Sequence, residues 1–298
     1  TNSSAKSIDA YALWGMNIDG SKKKKLFTLK QVQGTFASPR LTSLLPDEPN
    51  YVMVAINDRR GSVEDYYRLN IFTGAKRRVA MGPDIDNEEA LFDVVEKNDG
   101  TPLAAIGNLG DEWRIWRYYD SEDTWDVHFT SKCQTPTFFP LSGYEDKWLV
   151  SGQDITKSKT FNKDNDKSKL FLYDPDDRSF ELLYEDDTYD VGGPTGGCRT
   201  AIGGASIDEK TNELIYVAYY GEKPVRIFFD EDVQATNDML EGAFPDKIVR
   251  PITWNKDRSK VVVSVSSSNN PGEYYYFDKE NMILTFLWDR SPWLDRSK

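Results

Sequence analysis

Apolar residues in this chain come in short runs or alternate with polar ones, and helical spacing is nearly absent. Runs at 51–56, 148–151, 214–219 and 261–265 are rich in Val, Ile, Tyr and Trp, with turn residues between them. The best helical stretch, 233–240, is too short to hold a helix by itself. The pattern predicts an all-β chain.

The runs recur in a two-part unit. Its second half is an aromatic-rich strand, a polar turn and another apolar strand, as at 66–71 followed by 78–80, or 113–119 followed by 125–129. The polar residue closing the first of these strands falls at Asn17, Asn70, Asp120, Asp174, Asp230 and Asp278, with gaps of 53, 50, 54, 56 and 48 residues. Its first half is a turn leading into a β-branched strand, as at 45–56 and 251–265. Four short strands in about 50 residues fit one blade of a β-propeller, in which stacked sheets bury both of their faces. A β-sandwich gives no reason for the recurrence.

The count predicts complete blades at 42–80, 88–130, 138–185, 203–241 and 251–288, and a connector over 289–298. Segment 9–30 supplies only the outer two strands of a sixth blade. A half-blade leaves strand edges unpaired, so the expectation is a longer polypeptide with seven or eight blades.

Composition narrows the chemistry. The chain has 298 residues, 49 acidic and 37 basic side chains, and a formal net charge of −12. That balance argues against a nucleic-acid partner, which needs a concentrated basic face. No run approaches the ~20 apolar residues of a membrane span. Aromatics at 13% are too many for a disordered chain. The lone histidine, His128, excludes zinc sites built from several histidines. Cys133 and Cys198 can pair once or stay reduced, which leaves the compartment open, the cytoplasm slightly favoured.

Candidate chemistry is sparse. Gly192–Thr200 has two glycines at phosphate-loop spacing, but Cys198 stands where the lysine belongs, so it reads as a loop. Residues 230–241 place acids at calcium-loop positions, yet Ala235 replaces the required glycine, and an acidic surface connection is the reading taken. Glu88-Glu89 and Asp186-Asp187 could pair for glycoside hydrolysis, but an acid-rich chain yields such pairs by chance. His128 sits between apolar neighbours and no G-x-S-x-G elbow exists, so it reads as structural. Lys22–Lys25 reads as a solvated edge and Asn2 as a sequon at a terminus. No catalytic residue, cofactor or metal is expected.

The C-terminal stretch carries a resemblance. Residues 251–263 (Pro-Ile-Thr-Trp-Asn-Lys-Asp-Arg-Ser-Lys-Val-Val-Val) resemble the P-x-W-S-x-D-G blade opening of TolB-like and prolyl-oligopeptidase propellers, with Arg258 for the usual glycine. Residues 266–278 (Ser-Ser-Ser-Asn-Asn-Pro-Gly-Glu-Tyr-Tyr-Tyr-Phe-Asp) are similar to the last blade of prolyl oligopeptidase family serine peptidases of the acylaminoacyl- and dipeptidyl-peptidase kind. Residues 284–295 are similar to the exit strand and connector that precede the α/β-hydrolase domain, and 65–74 resemble a hairpin of the same family.

The resemblance implies a non-catalytic propeller that gates short peptides to a Ser-Asp-His triad outside this chain. It implies that Trp288, Pro292 and Trp293 contact the hydrolase domain or its linker. The implied partners are that domain in the same polypeptide and peptide substrates, with homo-oligomerisation left open. The alternative is a free-standing TolB-like propeller acting as a binding scaffold; a carboxylate glycosidase is a distant third.

Overall fold

A computed structural model describes residues 12–17, 19–28, 30–32, 35–60, 63–85, 89–132, 135, 137–144, 146–157, 160, 166–192, 204–208, 211 and 213–294. The chain divides into two compact units, Thr1–Ile227 and Phe228–Lys298. The fold is all-β, a β-propeller whose blades are antiparallel sheets in sequence order.

The first unit opens with two small sheets, β1 (Leu13–Gly15) with β2 (Lys24–Phe27), and β3 (Lys30–Val32) with β4 (Thr35–Ala37). The next sheet is β5 (Pro39–Ser43), β6 (Tyr51–Arg60), β7 (Val63–Asn70) and β8 (Lys76–Ala80). It is followed by β9 (Glu89–Glu96), β10 (Pro102–Leu109), β11 (Glu112–Tyr119) and β12 (Thr124–Lys132). A third four-stranded sheet holds β13 (Phe138–Tyr144), β14 (Lys147–Gly152), β15 (Lys169–Asp174) and β16 (Ser179–Tyr184). The fourth has three strands among the described residues, β17 (Gly204–Ile207), β18 (Leu214–Tyr220) and β19 (Pro224–Phe228).

The core lies between successive sheets. Trp113, Ile115 and Ile106 of one sheet pack with Phe138, Phe139, Trp148 and Tyr173 of the next, all buried. Trp113 and Phe139 rings are 4.7 Å apart. Leu149 and Leu170 turn the other way and pack with Leu214, Val217 and Tyr219. Alternate residues of one strand thus serve two different interfaces, which is why β10 and β14 read as continuous apolar runs.

The recurring polar residue has a local cause. Asn70 Oδ1 accepts the amides of Phe72 and Thr73, Asp174 Oδ1 those of Asp176 and Asp177, and Asp278 Oδ1 that of Asn281. Each is an Asx turn that closes the third strand and starts the hairpin to the fourth. The first strand of each sheet carries its own recurrent feature, a register shift at Leu41/Ser43, Ile106/Gly107 opposite β9, Pro140/Ser142, Ser206/Ile207 and Pro251/Thr253.

The second unit differs from the strand-only expectation. Asp230 begins a helix, α1 (Glu231–Ala243), in the stretch of sequence assigned to the end of the fourth predicted blade. Asp230 Oδ1 accepts the amides of Asp232 and Val233, and Glu231 and Asp232 place negative charge in the first turn. The acidic 230–241 segment is therefore a capped helix. Its side chain Leu240 packs with Val249, Val261, Val263, Val265 and Phe277. These belong to the last blade, β20 (Ile248–Trp254), β21 (Lys260–Ser267), β22 (Asn270–Asp278) and β23 (Ile283–Asp289). Arg258, at the position where the resembling motif has glycine, takes the left-handed conformation with φ +57°. Its guanidinium pairs with Asp230, which offsets part of the strain.

Candidate functional site

Within the first unit, β5, β9, β13 and β17 are each the first strand of a sheet, and β13 adjoins both β9 and β17. Between them is a recess of about 290 Å³, with Thr42, Glu96, Asn98, Ser142 and Ser206 in its walls. Side chains from four sheets therefore converge there. Thr42 Oγ1 donates to the Gly100 carbonyl (3.1 Å) and Asn98 Nδ2 to that of Asp208 (3.4 Å), tying the sheets together across the recess.

Beside it lies a charged cluster. Arg40 of β5 reaches Glu64 Oε2 at 2.7 Å and Glu96 Oε1 at 2.6 Å, and Tyr66 donates to Glu96 at 3.2 Å. Burial raises the Glu96 pKa even though Arg40 pulls it down. Burial also works against the Arg40 charge, but the bonds from Glu96 and Glu64 prevail and its pKa is raised. Asp93, exposed on β9, accepts the Val94 amide. Chemically this is a set of hydrogen-bond acceptors around one guanidinium. It can hold a cationic or N–H-bearing group.

His128 is not available for acid–base work. It is buried on β12, and its Nε2 lies 2.7 Å from the Tyr173 hydroxyl and its ring 5.2 Å from that of Trp148. Burial, then Arg178 and Arg117, push its pKa down to about 4, so it is neutral at pH 7. Asp186 is a structural acceptor: the Tyr189 and Thr188 amides and the Tyr219 hydroxyl (2.7 Å) hold its pKa low. Glu88, Cys133, Cys198, Asn2 and residues 193–200 of the glycine-rich segment lie outside the described residues. No group of three or more metal-ligating side chains stands together among the described residues.

The predicted contact residues Trp288, Pro292 and Trp293 are all exposed. Trp288, on β23, is 50% exposed and stacks on Tyr274 with centroids 4.5 Å apart. Trp293 is 76% exposed. They do not stand alone. Ile283, Leu284, Phe286 and Leu287 of the same strand are exposed too, although alternate residues point to opposite faces of the sheet. Sequence reasoning placed the exit strand over 284–288 and singled out the tryptophans, but gave no sign that the strand's apolar side chains are exposed on both faces. It also missed Arg40, Glu64, Asp93 and Glu96, whose only signal is that each charge falls in or beside a strand of the repeating unit.

No family model matches this chain, and no curated protein sequence matches it. Solved structures do. A puromycin hydrolase mutant complexed with PGG aligns with 96% of this chain at 13% identity and a TM-score of 0.49, over 43% of its own length. TolB from Acinetobacter baumannii aligns with 93% at 9% identity and a TM-score of 0.42, over 60% of its length. The β-propeller domain of the trilobed protease from Pyrococcus furiosus, described as having an open velcro topology, aligns with 91% at 11% identity and a TM-score of 0.38, over 72% of its length. The chain thus spans about half the length of TolB and puromycin hydrolase.

Proposed function

We propose that the chain is a non-catalytic propeller that limits which peptides reach the Ser-Asp-His site of an α/β-hydrolase domain in the same polypeptide. The observation that carries this reading is the outer strand of the last sheet. β23 is a sheet edge exposed along Ile283–Trp288, with Trp288 against Tyr274 and Phe286 against Tyr275 on the opposite face, and Trp293 beyond it is exposed as well. An apolar edge exposed on both faces is suited to contact with another body. The resemblance of 251–295 to the last blade and connector of prolyl oligopeptidase propellers supports reading that body as an α/β-hydrolase domain, and the acceptor-rich recess between the first strands supports an entry for extended chains.

The test is made on the native polypeptide. A fluorophosphonate probe should label a serine outside residues 1–298, and the protein should hydrolyse short peptides while sparing folded ones. Phe286→Glu with Trp293→Glu should loosen the docking and admit longer substrates. A native product that no probe labels and that cleaves no peptide sinks the proposal in favour of a free-standing scaffold; so does a labelled serine within 1–298.

A further inference from the structure

Between the second and third four-stranded sheets, where β9 turns into β10 and β13 into β14, lies a recess of about 370 Å³. Among the described residues it shares Lys97 and Asn98 with the acceptor-rich recess between the first strands. Its apolar lining includes Leu103 and Trp148, both buried in the core between the two sheets. Gly143 of β13 leaves room beside them. A Cβ added there would lie 3.6 Å from Lys97 Cγ and 3.8 Å from a Leu103 methyl. The Lys97 stem therefore reaches the neighbouring sheet.

Among the described residues three cations line this space, Lys97, Arg117 and Lys147, in a chain of net charge −12. Each has a carboxylate partner, and in each pair the cation is the more enclosed member. The Arg117 side chain is 18% exposed, whereas Asp176, 2.6 Å away on the β15–β16 turn, is 77% exposed. Lys97 with Asp120 and Lys147 with Glu181 are ordered the same way. The Arg117 guanidinium is steadied further by the Tyr119 ring, 4.8 Å from its centroid.

An ion pair with so exposed a carboxylate contributes little, because water competes for it. An incoming anion can therefore take its place at small cost. Charge-assisted bonds from lysine and arginine to phosphate are stronger, and the planar guanidinium can grip two phosphate oxygens. Asp99 and Asp146 are also in the walls, both exposed, and the Thr101 amide and hydroxyl hold Asp99 in place. Carboxylates are acceptors only, which suits the hydroxyl groups of a ligand. The volume lies in the range of small-molecule sites and exceeds what a phosphate group alone occupies.

We propose that this recess binds a sugar phosphate. Its phosphate is held by Lys97, Arg117 and Lys147 in place of the exposed carboxylates, and its hydroxyls donate to Asp99 and Asp146. No bond is made or broken; a ligand held from both sides ties the second four-stranded sheet to the third. The proposal does not rest on the peptidase reading and holds for a free-standing propeller as well.

The test is titration calorimetry on the full-length polypeptide with glucose 6-phosphate, ribose 5-phosphate, glucose and inorganic phosphate. At least one sugar phosphate should bind about tenfold or more tightly than glucose or inorganic phosphate, with affinity falling as salt is raised. Arg117→Gln should weaken that binding about tenfold or more. Lys147→Gln removes a more exposed cation and should weaken it too, which keeps the test open if loss of Arg117 disturbs the packing of the sheets. Asp146→Ala should weaken the sugar phosphate and leave inorganic phosphate unaffected. Failure of both sugar phosphates to bind overturns the proposal. Equal affinity for inorganic phosphate would make the recess a simple anion site and overturn it as well. So would sugar-phosphate binding that survives both Arg117→Gln and Lys147→Gln, since the ligand would then sit elsewhere.

Discussion

The outer strands of the blades make unlike surfaces. β8 presents Lys76, Arg77 and Arg78 to solvent, and β12 presents Thr124, Asp126, Thr130 and Lys132. Charges on an edge strand discourage pairing with other chains. β23 has no charge between Ile283 and Trp288. The second strands of the sheets differ in the same sense. In β10 the run Leu103–Ile106 is buried on both faces, whereas β21 buries Val261, Val263 and Val265 and leaves Val262 and Ser264 half-exposed. An edge that β8 guards with charge is left apolar in β23.

The strongest way to break this contrast is at the most enclosed ring. Trp113 is fully buried between two sheets. Trp113→Ala should cost about 3–5 kcal/mol in urea unfolding, from lost burial plus the cavity left behind. A loss below about 1 kcal/mol would mean that the interface between the second and third four-stranded sheets is no tighter than the open face of the last.

The buried histidine gives the next largest effect, and it depends on pH. The His128 pKa is depressed from 6.5 to about 4 by burial, so the unfolded chain binds the proton more readily. Its contribution is fully present above about pH 6.5 and is lost as pH falls towards 4, at up to ~1.4 kcal/mol per unit. Chemical denaturation between pH 7 and 4 should show this slope, and His128→Gln should flatten it. An unchanged slope in the variant would place the acid sensitivity in carboxylates instead.

Much of the fold was legible because local chemistry repeats with the blade. Asn70, Asp174 and Asp278 each make the Asx turn that gave the period away. The helix was legible only in part: 233–240 stood out as the best helical stretch but reads as too short, and α1 runs over Glu231–Ala243. Its buried positions, Val233, Thr236, Asn237 and Leu240, have helical spacing, but two of the four are polar and hide the apolar stripe. The recess was hidden for a different reason. Arg40, Glu64 and Glu96 are far apart in sequence and meet only once neighbouring sheets are in place. By contrast, the apolar strand 283–288 is plain in the sequence, yet only the structure reveals that both of its faces are open.

That helix offers a smaller, more local test. Asp230 caps it, and its pKa is lowered: burial opposes its charge, but the Val233 amide and Arg258 outweigh burial. Asp230→Ala should cost about 1 kcal/mol, within the usual range for a lost N-cap, read by urea unfolding. Asp230→Asn should recover most of that loss, since its side-chain oxygen still accepts the Asp232 and Val233 amides. If it recovers none, the charge pair with Arg258 matters more than the cap.

The smallest effect is the most telling. Trp293 is 76% exposed, and removing a side chain that packs on little changes stability by no more than about 0.5 kcal/mol. Trp293→Ala should therefore leave the unfolding of residues 1–298 unchanged, where Trp113→Ala does not. The same change should matter in the native polypeptide if the last blade is covered there, because a ring buried against a neighbour loses that contact when truncated. Binding of a hydrophobic dye to residues 1–298 should fall with Phe286→Lys and Trp288→Lys, as charge replaces the bare patch. Were both substitutions to leave dye binding unchanged, the open side of the chain would lie elsewhere, and the contrast between its guarded and unguarded edges would lose its meaning.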